Sequence, residues 1–88
     1  MNATLWRFSG LFFGGEKDQA GTPIGDRVSG EFVCETRDPE EAAKLLATRY
    51  ENNAGYVRLS DLVVNDFNPK RAERIAKRGG TADVPFLR

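Results

Sequence analysis

Histidine is absent from this 88-residue chain and cysteine occurs once, as Cys34. Without imidazole there is no side chain that titrates near neutrality at its ordinary pKa, no histidine-based triad and no common zinc set. A single cysteine forms neither an internal disulfide nor a CxxC centre. Long apolar runs are also missing: nothing approaches the roughly 20 residues of a membrane span. The opening MNATLWRFSGLFF has no basic leader before its apolar part, so the expectation is a cytoplasmic protein without membrane association. Neither charge sign dominates, with 13 basic against 13 acidic side chains. Carboxylate chemistry is the catalytic route left open. The acidic residues fall mainly in turns or at a helix start, where local electrostatics explains them. The chain is therefore expected to be no enzyme, with no catalytic residue, no cofactor and no metal.

What is present fits one small soluble domain over residues 1–88, with 40% hydrophobic and 30% charged residues. A core of this size gives a stability of roughly 5 kcal/mol. Residues 4–13, TLWRFSGLFF, place Trp6, Phe8 and Phe12 on one side at a period of two, which predicts a strand with one apolar face. The opposite side mixes Leu5, Leu11 and Phe13 with Arg7 and Ser9. Gly10 predicts a bulge or a close backbone approach. Residues 14–26, GGEKDQAGTPIGD, read as a long mobile loop, with Lys17 in it as a candidate contact residue. A second strand is expected over 27–36, pairing as an antiparallel hairpin, with Val28, Phe32 and Cys34 on one face and Arg27, Ser29, Glu31 and Glu35 on the other. Cys34 is expected to be a buried small hydrophobe.

Asp38, Pro39 and Glu41 have the spacing of a helix N-terminus. The helix should run to Glu51, with Ala42, Ala43, Leu46, Ala47 and Tyr50 as its apolar stripe. Asn52, Asn53 and Gly55 supply stop chemistry. Residues 56–64 predict a third strand with a bulge near Ser60 and Asp61, a helix over 61–67 being the alternative. Asn68 and Pro69 then repeat the cap-and-proline signal before a short basic helix that ends at Gly79 and Gly80. The tail, residues 81–88, has no period and is expected to be loosely attached. The fold class is thus α+β: an antiparallel sheet of three or four strands in the order β-β-α-β, one helix packed on the Trp6, Phe8 and Phe32 face, and a basic C-terminal helix.

Charge is uneven along the chain. Residues 69–88 hold Lys70, Arg71, Arg74, Lys77, Arg78 and Arg88 against only Glu73 and Asp83. A local basic surface on a neutral protein suits an acidic protein surface or phosphates. The candidate partner-binding residues are Lys70, Arg71, Arg74, Lys77 and Arg78, with Phe13 as the exposed aromatic and Lys17 in the adjoining loop. Trp6, Phe8, Phe12 and Phe32 are assigned to the core, since so short a chain needs its largest side chains there.

The run GEFVCET, DPEEAAKLLATRY and AGYVRLSDLVV, within residues 30–64, resembles the strand, helix and strand unit of very small phage-encoded inhibitors, of the host RNA polymerase inhibitor and anti-CRISPR types. That resemblance implies a non-catalytic protein that covers a functional surface on a host protein or ribonucleoprotein complex, as a monomer or homodimer. It transfers no site residues. The same segment is similar to the second half of an RNA-recognition motif, GEFVCE matching an RNP1-like strand and DPEEAAKLLA the helix after it. This chain departs from that motif: it has no helix between its opening strands, and Cys34 stands where the motif has its second aromatic. Nucleic-acid binding through the basic helix is the alternative function.

Overall fold

The computed structural model describes residues 3–88. Strands β1 (Thr4–Lys17) and β2 (Pro23–Cys34) are followed by helix α1 (Pro39–Glu51), strand β3 (Tyr56–Val64) and helix α2 (Pro69–Lys77). The sheet order is β2-β1-β3, with β1 antiparallel to both neighbours. Strands β2 and β3 therefore run parallel, and α1 is the crossover that such a pair requires. No helix among the described residues is long and apolar enough to cross a membrane.

The strict alternation of β1 assigns its side chains to two different cores. On one face Trp6, Phe8, Phe32 and Cys34 meet Ala42 and Leu46 of α1. Trp6 stacks on Phe32 with centroids 6.4 Å apart, and Phe8 and Phe12 both contact Tyr50. The Trp6 indole N–H donates to the Thr36 carbonyl at 3.0 Å, so its one polar atom is satisfied. On the other face Leu5 and Val33 meet Ala72, Ile75 and Ala76 of α2 together with Val84. Both helices are thus packed, one on each side of the sheet. The narrow apolar edge of α2 suffices because it lies on the sheet, where a free helix of nine residues would be marginal.

Local signals explain the helix ends. Asp38 accepts from the Glu40 amide at 3.1 Å, as its position predicts. Glu41 does not close the reciprocal bond; the Thr36 hydroxyl accepts from the Asp38 amide instead, at 3.0 Å. At the exit of α1 the left-handed residue is Ala54, with φ 58°, and not one of the asparagines or Gly55. Asn68 makes no side-chain cap bond to α2. The far end of α2 closes with Gly79 donating to Ala76 and Gly80 to Ile75, a Schellman arrangement.

Two expectations are corrected. The segment 14–26 is mostly strand, because β1 continues to Lys17 and β2 begins at Pro23. Only residues 18–22 turn, organised by the Asp18 carboxylate, which accepts from the amides of Ala20 and Thr22. Gly25 pairs with Phe13, while Gly15 and Gly21, with φ 92° and 82°, serve the irregularity in β1 and the turn, so glycine-rich composition here is compatible with a hairpin as well as a loop. The tail is docked, not loose. Val33 donates to the Pro85 carbonyl at 2.9 Å and accepts from the Leu87 amide at 2.8 Å. Val84 and Leu87 are buried in the two different cores. This contact is one parallel bridge, Val33 to Phe86, and the sheet itself has three strands.

Candidate functional site

Helix α1 covers its face of the sheet as far as Phe12, through Tyr50. On the opposite face α2 reaches only Leu5 and Val33. The rest of that second face stays uncovered, and the strand registers define its rows. Arg27, Leu11 and Arg58 form one row, since Leu11 pairs with both arginines. Gly25, Phe13 and Tyr56 form the next row towards the hairpin end. Towards α2 lie Ser29, Ser9 and Asp61, then Glu31, Arg7 and Val63.

Two backbone features shape this face. Gly10 on β1 abuts the carbonyl of Arg58, and a Cβ there would also lie 3.0 Å from the Leu59 Cα. The close approach coincides with a bulge that leaves Ser60 without a partner between the Ser9 and Gly10 pairs. Such a bulge re-aims the strand, and the Ser60 hydroxyl lies 3.5 Å from that of Ser9. Gly25 makes room for Phe13: a Cβ at that position would sit 2.8 Å from the ring. Phe13 is accordingly half-buried, and Tyr56 stacks on it with centroids 5.0 Å apart and planes 16° from parallel. Tyr56 remains 54% exposed as the outer member of the stack.

Arg7, Arg27 and Arg58 are exposed. Among the described residues two ion pairs form, Arg37 with Asp66 and Arg71 with Glu31. Neither engages those three arginines. Glu31 is held by Arg71 at 3.0 Å and by the Asn65 amide at 2.9 Å, which ties the start of α2 to β2. Between α2 and the arginine row lies a shallow depression of about 310 Å³ lined by Arg7, Ser9, Ser29, Glu31 and Asp61. The charge of the face is net positive, its remaining free carboxylate being Asp61.

The residues expected to bind a partner fall into two groups. Lys70, Arg74 and Lys77 are exposed on α2, and Arg78 is exposed just beyond it. Arg71, Arg74 and Arg78 line a cavity of about 230 Å³ with Thr81. Arg71 is already paired with Glu31, so it positions α2 more than it offers a free charge. Phe13 and Lys17 lie at the far end of β1, Phe13 being eight residues from Leu5, or about 26 Å along the strand. Lys17 is exposed at the hairpin end, opposite Pro23. The α2 cations and Phe13 therefore do not form one site.

Tyr56, Arg58, Arg27 and Arg7 were not among the expected binding residues. Alternation places Arg7 with Phe13 and Arg27 with Glu31, but joining these sets to Arg58 requires knowing that β1 is the central strand. The other cavities offer no convergent chemistry. One of about 670 Å³ is an open groove between α1 and the tail, lined by Glu35, Glu41, Lys44 and Arg88. Among the described residues no three of Asp, Glu and Cys gather as metal ligands would. Burial raises the pKa of the Cys34 thiol, which donates to the Thr36 carbonyl on the covered side of the sheet. No protein-family model, curated protein or solved structure matches this chain.

Proposed function

We propose that this chain is a non-catalytic binding module that presents the uncovered sheet face to another macromolecule. One observation carries the reading: three unpaired arginines and a stacked aromatic pair occupy a face that no element of the protein covers. The stack itself contributes about 1 kcal/mol to folding. The exposed guanidinium groups of Arg7, Arg27 and Arg58 make no ion pair among the described residues, so they are free to meet an anionic partner. Inhibition of a host complex, implied by the resemblance of residues 30–64, would be one use of such a module, with the sheet face in place of the basic helix as the main contact.

The test is a comparison of two charge variants in cells that express the tagged chain, with crosslinking before recovery. Reversing Arg7, Arg27 and Arg58 to glutamate should lower recovery of the bound macromolecule at least tenfold. Changing Lys70, Arg74, Lys77 and Arg78 to glutamine should leave recovery within about twofold. The opposite ranking would move the contact surface to α2 and refute the proposal. Circular dichroism melts of both variants confirm that folding is retained.

A further inference from the structure

Resting on that reading, we infer that the occupant of the sheet face is single-stranded nucleic acid, its bases stacking on Tyr56 and its phosphates held by Arg27, Arg58 and Arg7. The chemistry of the rows carries this. Tyr56 ends a two-ring stack and keeps an exposed face, so a third planar group can continue it. Base stacking on such rings is a common source of affinity for unpaired strands. The arginine row lies two residues along the strands from the aromatic row, a separation of about 7 Å. A nucleotide likewise carries its planar base and its anionic phosphate at opposite ends of a sugar. Arg27 and Arg58 stand on either side of Leu11, about 10 Å apart across three strands, so successive phosphates meet separate cations. Hydroxyls of Ser9, Ser29 and Ser60 lie beside them for sugar or base edges.

A protein partner fits the face less well. Its apolar side chains are Leu11, Phe13 and Tyr56, with Val63 set apart beyond the Ser9 row, whereas a stable protein interface centres on a larger dehydrated apolar patch. A duplex fits less well again, because its bases are already stacked on one another.

The experiment is fluorescence anisotropy of labelled single strands of about twelve nucleotides, oligothymidylate and oligoadenylate, with a duplex of matched length. Single strands should bind more tightly than the duplex. Three phosphate contacts give a log–log salt slope near −2.1, so affinity should fall roughly 18-fold between about 50 and 200 mM salt. Tyr56→Ala should weaken binding about tenfold while Tyr56→Phe retains it, which separates stacking from loss of fold. Changing Arg27 and Arg58 to glutamine should flatten the slope by about 1.4. Equal binding of duplex, or indifference to Tyr56→Ala, overturns the inference. Failure to bind any strand also overturns it. If crosslinking then recovers a protein through the same arginines, or sedimentation shows a dimer that Tyr56→Ala dissolves, the binding face survives with a different occupant. If neither occurs, both readings fall.

Discussion

Replacing Leu87 by alanine removes three carbons from the core formed by Trp6, Phe32, Cys34 and Leu46, where Leu87 is 9% exposed. At about 0.8 kcal/mol for each buried methylene the transfer loss is about 2.4 kcal/mol. Any cavity adds to it, and Leu→Ala substitutions in cores cost about 2–5 kcal/mol. The low end applies, since a chain terminus relaxes into a cavity more readily than a helix does. Unfolding entropy of about 2.1 cal/mol/K per residue gives about 0.18 kcal/mol/K for the whole chain. A loss of 2.5 kcal/mol then lowers Tm by about 14 °C, a large part of the total stability. The assay is a thermal melt followed by circular dichroism, with a urea titration to show that the m-value is unchanged. Arg88→Ala is the control, because Arg88 only covers the Phe86 ring at 4.6 Å from its centroid. A shift under about 3 °C for Leu87→Ala would mean that the tail is not part of the core.

Gly10→Ala should destabilise by about 2 kcal/mol or more in urea titrations, since the new methyl meets the β3 backbone and not a yielding side chain. Ala54→Gly should do the reverse and raise stability by about 0.5–1 kcal/mol in the same titration, because the left-handed conformation with φ 58° costs alanine more than glycine loses in chain entropy. Burial raises the pKa of Cys34 above its ordinary value of 9.0 and that of Tyr50 above 10.0. Their neutral forms are favoured in the folded state, so stability is full below those ordinary values and falls as pH rises through about 9 towards the folded values. Melts between about pH 7 and 11 should show this decline starting near pH 9. Cys34→Ala should remove the early part of the slope, and a flat profile would contradict the burial of both groups.

Most of the fold was legible because its signals are local. Asp38 and Pro39 start a helix where their spacing predicts, and Trp6, Phe8 and Phe32 share a face as their period requires. The bulge at Ser60 was visible as a break in phase before any pairing was known. What the sequence hid is set by tertiary partners. The residues TADVPFLR have no period of their own and become ordered by the free edge of β2 at Val33. The glycines of 14–26 are compatible with either loop or ribbon, and pairing between the two strands decides the matter. The candidate site was half legible: Phe13 was singled out from its phase, whereas Tyr56 and the arginines join it only through the order of three strands. Charge density along the chain points to Lys70–Arg78. Density in sequence says little about which cations are left free once Glu31 has taken Arg71.

Helix α2 stops at one end of its face. The polypeptide is consequently fastened like a hinge leaf, with Leu5 and Val33 clamped from that side and Leu11 and Phe13 left unclamped a few residues further on. Substitutions at the unclamped positions alter what the surface can grip while the fastening that holds the chain together is untouched. Selection can therefore change the occupant of this face many times without redesigning the scaffold beneath it.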